Sequence, residues 1–334
     1  MPIDTHNQNQ KVQPVAEKRQ AVSTSDAIWT VKATLDWTVD FLAQHGDANP
    51  RLSAEWLMSE ATGLSRIELY VNFDKPLSMD ERTVLRGFVV RRANGEPLQL
   101  ISGTAPFRYL TIKVAPGVLI PRPETEVLVS EAMRELKLPR VSDHVVTDAD
   151  TGEEVLTGAE LPPIDVIDLC TGSGCIACSI ASEYPAAHVL ALDISPEALA
   201  LAKENVDSLQ LSDRVEVRKS DLLSAVASQE RGEFDLVISN PPYIPTAVLD
   251  GLDREVTAFE PALALDGGAD GLDLFRRFIN DAFECLKPQG VIAVELFEDH
   301  LDAAAQLAGE AGFVDVRVAR DLAGRPRVLI AHKE

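Results

Sequence analysis

The chain has 334 residues, 46% of them hydrophobic, and 53 acidic against 31 basic side chains give a formal net charge of −22. That apolar content suffices for one large or two ordinary cores, while no run approaches the roughly 20 apolar residues of a membrane span and the polar N-terminus lacks a signal-peptide core, so a cytoplasmic protein is expected. An enzyme that grips a duplex meets phosphates with a basic surface, and the acidity together with the lack of any Lys/Arg-rich run disfavours nucleic acid as a partner.

Residues 1–24 are polar and aperiodic, which predicts a disordered tail. From Ser25 onward Ile28, Val31, Leu35, Val39 and Leu42 recur at helical spacing, with Ser25 or Asp26 as the N-cap and Gly46 as the stop. Residues 51–63 (RLSAEWLMSEATG) read as a second helix and 64–73 as a shorter third. The next run opens on a capping box, Ser78 with Glu81, turns Val84, Leu85, Phe88 and Val89 inward, and ends at Gly95. Residues 25–96 thus make a helical bundle, with Trp29, Trp37 and Trp56 expected to fill its core. Residues 97–126 mix short β-prone runs with Gly and Pro, as a hairpin linker does.

Residues 127–334 form the larger domain, in which the acidic, turn-rich stretch 138–162 reads as a surface insertion. Beyond it, IDVIDLC, HVLALDI, RVEVRKS, FDLVIS and GVIAVEL are apolar runs of strand length that alternate with helices such as the one capped by Ser195. This alternation predicts an α/β fold whose parallel sheet is covered on both faces. At the end of the chain FVDVRVAR and PRVLIAHK are joined by too few residues for a crossover helix, so they form an antiparallel pair. Cys170, Cys175 and Cys178 crowd one segment and Cys285 stands alone, unlike a disulfide framework. No histidine lies near the cluster and glycines surround it, so no metal is expected there.

Two motifs carry chemistry. In DLCTGSGCIA, after the first strand, Gly172 and Gly174 let the backbone approach a ligand, and Asp193, at the end of the next strand, sits where a carboxylate grips ribose hydroxyls. Gly172, Gly174 and Ala177 also match G-x-G-x-x-A, which leaves a nicotinamide dinucleotide open. In ISNPPYIP the two prolines supply no N–H and fix φ, so the carbonyls and the Asn240 side chain form an acceptor site, unless the residues merely end the strand.

D-x-x-T-G-S-G, Asp193 and NPPY together resemble the class I S-adenosylmethionine-dependent methyltransferases. VLIPRPETE at 118–126, DISPEAL at 193–199, SNPPYIP at 239–245 and EPALALDGGADGLDLFRRF at 260–278 narrow the resemblance to the peptide chain release factor glutamine methyltransferases. It implies a Rossmann-like, mostly parallel seven-stranded sheet with a C-terminal antiparallel pair, joined to a small N-terminal helical domain. It also implies S-adenosylmethionine as cofactor, bound by Asp168, Cys170, Thr171, Gly172, Ser173, Gly174, Asp193, Leu222 beside the adenine, and Asn240. The implied substrate is the glutamine of the Gly-Gly-Gln motif in class I release factors, bound by Asn240, Pro241, Pro242 and Tyr243, with the bundle helping to dock the factor. Methylation of an amino group of DNA or RNA, and a non-catalytic dinucleotide-binding module, are the alternatives.

The chemistry required of such a site agrees. A carboxamide nitrogen is a poor nucleophile, because its lone pair is delocalised into the carbonyl. If the Asn240 side-chain oxygen and the Pro241 carbonyl each accept one N–H, these two catalytic residues aim the nitrogen and enrich it, while Pro242 and Tyr243 pack on the flat amide. PRPETE reads either as a stiff connector or as part of the site, and Glu295 as a strand-end solvent contact or a cofactor neighbour. Where the family runs Glu-Ile-Gly and then Gln, this chain has Glu295, Leu296, Phe297 and His300, a loop left out of the expected site.

Overall fold

Local chemistry sets the helices of the N-terminal region in a computed structural model that describes residues 29–138, 145–147, 154–156 and 161–334. Helix α1 (Val31–Gln44) is capped by Thr30, whose hydroxyl accepts from the Ala33 N–H at 3.2 Å. The expected caps Ser25 and Asp26 and the expected tail lie outside the described residues. Helix α2 (Pro50–Thr62) has proline at its first position and stops at Gly63, φ 70°. Capping boxes open α3 (Arg66–Val71) and α4 (Met79–Ala93), the latter the predicted Ser78–Glu81 pair. Val31, Leu35, Leu42, Leu57, Met58 and Leu69 are fully buried between these helices. Two expectations fail here. Val84 is 44% and Trp37 46% exposed, because Leu85 with Val89, and Leu35 with Thr38 and Leu42, take the inward faces of α4 and α1. Trp37 instead stacks on Phe41 at 5.0 Å and meets Trp29 edge-on at 6.3 Å.

The segment 97–126 holds the expected hairpin, β1 (Thr104–Phe107) with β2 (Leu110–Lys113), but more besides. A short helix α5 (Leu98–Ser102) precedes it, and α6 (Pro123–Glu135) begins inside it, since proline at the first helical position suits the turn after Arg122. Strands β3 (Val145–Thr147) and β4 (Glu154–Leu156) pair antiparallel within the expected insertion 138–162, the rest of which lies almost entirely outside the described residues.

The larger domain follows as β5 (Ile164–Leu169), α7 (Cys175–Glu183), β6 (Ala187–Asp193), α8 (Pro196–Ser208), β7 (Val215–Lys219), β8 (Phe234–Ser239), α9 (Arg254–Thr257), α10 (Asp273–Cys285), β9 (Leu286–Glu295), α11 (Leu301–Glu310), β10 (Val314–Arg320) and β11 (Pro326–His332). The seven strands from β5 on lie in the order β10-β11-β9-β8-β5-β6-β7, the expected mostly parallel sheet, with β11 antiparallel to both neighbours. Both faces are covered: Val166 of β5 joins a core with α6 and α7, while Ile167 and Leu169 join one with α10 and α11. After β7 the chain crosses to the other side of β5 to form β8. The carboxyl ends of β5 and β8 therefore flank a topological switch point, where α/β sheets bind ligands. No helix among the described residues is long and apolar enough to cross a membrane.

Candidate active site

A cavity of about 410 Å³ opens at these carboxyl ends, within the range of small-ligand sites. The turn after β5 forms one wall. Cys170 and Gly172 there adopt positive φ, 60° and 56°, which folds the turn tightly along the cavity wall. Thr171 and Ser173 also line it. Asp193 ends β6 and braces the turn: its Oδ2 accepts from the Gly172 N–H and its Oδ1 from the Ser195 N–H, both at 2.9 Å. Each oxygen retains a lone pair for a hydroxyl donor. Leu222, after β7, completes the far wall beside Asp221.

Asp168 and Gly174 stand behind this wall rather than in it. Asp168 is fully buried, and its Oδ2 accepts from the Thr171 hydroxyl at 2.5 Å and the Ala177 N–H at 3.1 Å, tying the turn to the start of α7. Burial pushes this carboxyl up to about 7, against the opposing pull of those two bonds. Gly174 lets α7 approach α8: a Cβ there would lie 3.1 Å from Ala202 Cβ. Burial pushes the Cys175 and Cys178 thiols up, Cys178 to about 12, so neither supplies a thiolate nucleophile.

Asn240 and Pro242 line the cavity from the end of β8, whereas Pro241 is buried and Tyr243 lies behind them. The Asn240 Nδ2 donates to the Thr125 hydroxyl at 3.0 Å, and its Oδ1 takes no hydrogen bond among the described residues. The Tyr243 hydroxyl donates to Glu295 Oε1 at 3.3 Å, and burial pushes this phenol upward. Glu295 is neither a solvent contact nor a cavity residue: it is 1% exposed, and burial raises its carboxyl to about 7 while the Thr125 and Tyr243 hydroxyls oppose the rise. Phe297 stays clear of the cavity, 5.5 Å from the His300 ring and under Arg327.

Two supporting segments had no defined contacts in the sequence reading. In PRPETE, Pro121, Arg122 and Thr125 border the cavity, so the segment is more than a connector. In 260–278, Ile244 bridges Asp266, and a Cβ on Gly267 would fall 2.6 Å from Tyr243 Cα, so only glycine fits beside the Asn-Pro-Pro-Tyr turn. Glu260 joins the two: it accepts from the Ile120 N–H at 3.2 Å and pairs with Arg122 at 2.5 Å, closing one rim. The clue was the match of both segments to one family, which names no partners.

The donor set tests what the cavity suits. Its two arginines are engaged by carboxylates, Arg122 by Glu260 and Arg277 by Asp221 at 2.8 Å. Asp193 with Leu119, Ile194, Leu222 and Leu263 supplies acceptors and apolar walls. Such a lining suits a ligand carrying hydroxyls, a flat ring and positive charge better than a diphosphate.

Comparison with known proteins shows which family the chain resembles. A family model described as PrmC N-terminal domain matches residues 33–103, and one described as Methyltransferase small domain matches residues 146–251. A release factor glutamine methyltransferase of Geobacter sulfurreducens is 42% identical over 302 residues, 90% of this chain and 96% of its own. One from Rhodopirellula baltica is 39% identical over 94% of this chain and 99% of its own. Among solved structures, a methyltransferase from Pyrococcus furiosus aligns with a TM-score of 0.45 at 18% identity, covering 66% of this chain and 88% of that one.

Proposed function

Because the chain belongs to the family of release factor glutamine methyltransferases, we propose that it methylates the side-chain amide nitrogen of a glutamine, that of the Gly-Gly-Gln motif in class I release factors. S-adenosylmethionine, held by Asp193, Leu222 and the turn from Cys170 to Ser173, would supply an electrophilic methyl on a sulfonium. Everything else falls to the chain's own residues.

The observation that carries this reading is the orientation of Asn240. With Nδ2 tied to Thr125, the atom left for a substrate is the acceptor Oδ1. A glutamine amide offers two N–H donors in one plane; Asn240 Oδ1 supplies one acceptor, and the backbone carbonyl of the buried Pro241 would supply the second. Holding both aims the nitrogen lone pair out of that plane, and the hydrogen bonds return electron density to it. Pro242 excludes water from one face. No general base is needed, since the nitrogen becomes acidic only after it is methylated. The net charge of −22 fits a protein partner better than a nucleic acid. The reading makes this a cytoplasmic enzyme with no membrane partner, whose N-terminal bundle helps to hold the factor.

Incubation of a release factor with enzyme and S-adenosylmethionine, followed by mass spectrometry, is expected to show one added methyl on the Gly-Gly-Gln peptide. No mass shift would remove the assignment. Asn240→Ala is expected to lower turnover by roughly 100- to 1000-fold, as loss of one oriented polar contact does.

A further inference from the structure

Asn240 is useful only one way round. Its amide presents an acceptor on one side and two donors on the other, and a flip about its last torsion would face the substrate N–H groups with Nδ2, donor against donor. The contact that opposes the flip is to a hydroxyl, Thr125 Oγ1 at 3.0 Å. A hydroxyl alone cannot choose, because it donates as readily as it accepts. Something must take up the threonine proton so that the oxygen is left to accept.

Glu295 is placed to do this. Its side chain is 1% exposed, Oε1 is engaged by the Tyr243 hydroxyl, and Oε2 is buried with no well-formed hydrogen bond. Thr125, itself 2% exposed, lies on the first turn of α6, a helix that packs on β9 where Glu295 ends the strand; its hydroxyl acts on that carboxyl, and its proton has no other acceptor among the described residues. An acceptor without a donor thus lies against a donor without an acceptor. Buried polar atoms pair when they can, because leaving one unmade costs roughly 1–3 kcal/mol.

Resting on the proposed reaction, we propose that Thr125 and Glu295 are positioning residues that set the polarity of the active-site amide: the Glu295 carboxyl accepts the Thr125 proton, the Thr125 oxygen accepts from Asn240 Nδ2, and Asn240 Oδ1 is thereby fixed toward the substrate. Glu295 holds the same turn at a second point through Tyr243. The charged groups acting on it are Arg327 of β11, which favours the carboxylate, and Glu124 at the start of α6, which opposes it.

The test uses the full-length enzyme with a release factor. Thr125→Val, which keeps the shape and removes the hydroxyl, is expected to lower kcat about 10- to 100-fold with KM for the factor changed less than about 3-fold, since the loss falls on orientation. Thr125→Ser, which keeps the hydroxyl, should stay within a few-fold of the wild type, whereas Glu295→Gln, which offers one acceptor oxygen to the two hydroxyls of Thr125 and Tyr243, should lower kcat in the same direction as Thr125→Val. In an Asn240→Ala background, Thr125→Val should cost less than about 2-fold more, because the amide it orients is gone. Losses that multiply independently, or a Thr125→Val enzyme with normal kcat, would overturn the proposal. A readout independent of substrate accompanies it. The side-chain 15NH2 signals of Asn240, identified by their disappearance in Asn240→Ala, should shift and lose hydrogen-exchange protection in Thr125→Val but not in Thr125→Ser. Unchanged signals would refute the orienting chain even were the protein substrate wrong, whereas an unmethylated factor with shifted signals would refute only the substrate.

Discussion

One added methyl group at each of two glycines in the turn after β5 separates the two jobs that turn performs. Gly172 and Gly174 both sit at positive φ, 56° and 78°, where an L-residue costs about 1–2 kcal/mol. At Gly174 the new Cβ also meets Ala202, 3.1 Å from its Cβ and 3.2 Å from its Cα. Ala202 is fully buried on α8 and has no rotamer to turn away, so overpacking adds about 1–3 kcal/mol. At Gly172 no atom lies within 4 Å, and the space is the cavity itself. With a melting entropy of about 2 cal/mol/K per residue, Gly174→Ala should lower Tm by about 3–8 °C and Gly172→Ala by no more than about 3 °C. Binding should rank the other way at equal occupancy of the folded state. Calorimetric titration with S-adenosylhomocysteine is expected to show Gly172→Ala weakened at least ~10-fold, because its methyl enters the ligand's space. Melting of Gly172→Ala as low as Gly174→Ala, or wild-type affinity in Gly172→Ala, would refute this division of roles.

Two further outcomes follow from the walls of the site. A Cβ at Gly271, φ 78°, would overlap the Tyr243 carbonyl oxygen and lie 2.5 Å from His300 Cε1, so Gly271→Ala should cut kcat about 10- to 100-fold while S-adenosylhomocysteine affinity, measured by titration calorimetry, stays within about 3-fold; a normal kcat would mean that the 260–278 segment does not shape the turn. The Glu295 carboxyl is raised from 4.5 to about 7 in the fold by burial, so the folded state binds the extra proton and this group costs stability as pH rises from about 4.5 through 7, by roughly 3 kcal/mol at most. Glu295→Gln should therefore melt higher relative to wild type at pH 8 than at pH 5, and a gap that is flat or widens toward acid would contradict the burial of an ionisable group there.

The sheet was legible because a parallel strand covered on both faces reads as an unbroken apolar run, and β5, β6, β8 and β9 fall on such runs. The antiparallel end was legible from loop length alone. The N-terminal bundle was harder. The capping box of α4 was legible, but the Thr30 cap of α1 and the Ser65–Glu68 box of α3 were not read; Val84 and Trp37 are as apolar as their buried neighbours, and only the crossing of α1 and α4 over α2 decides which face turns inward. Likewise the Pro-rich stretch before α6 carries turn signals and a helix start in the same few residues, so its boundary followed the turns and missed the proline at the first helical position.

For the site the limit was of another kind. Residues whose job follows from their own chemistry, such as Asp193 at a strand end or glycines in a tight turn, can be read singly. Thr125 cannot, since its partner is 115 residues away, nor can Glu295, 52 residues from Tyr243. Yet both are required by the turn they support. Two consecutive prolines make the backbone of that turn rigid and donor-free, so it cannot hold its own asparagine amide one way round. The orientation must come from side chains on other elements: the start of α6 for Asn240, the end of β9 for Tyr243, and the Gly267–Gly271 loop for the backbone between. Motifs scattered over some 170 positions are therefore one object, and the rigidity that makes Asn-Pro-Pro-Tyr a good acceptor is the reason it needs the others.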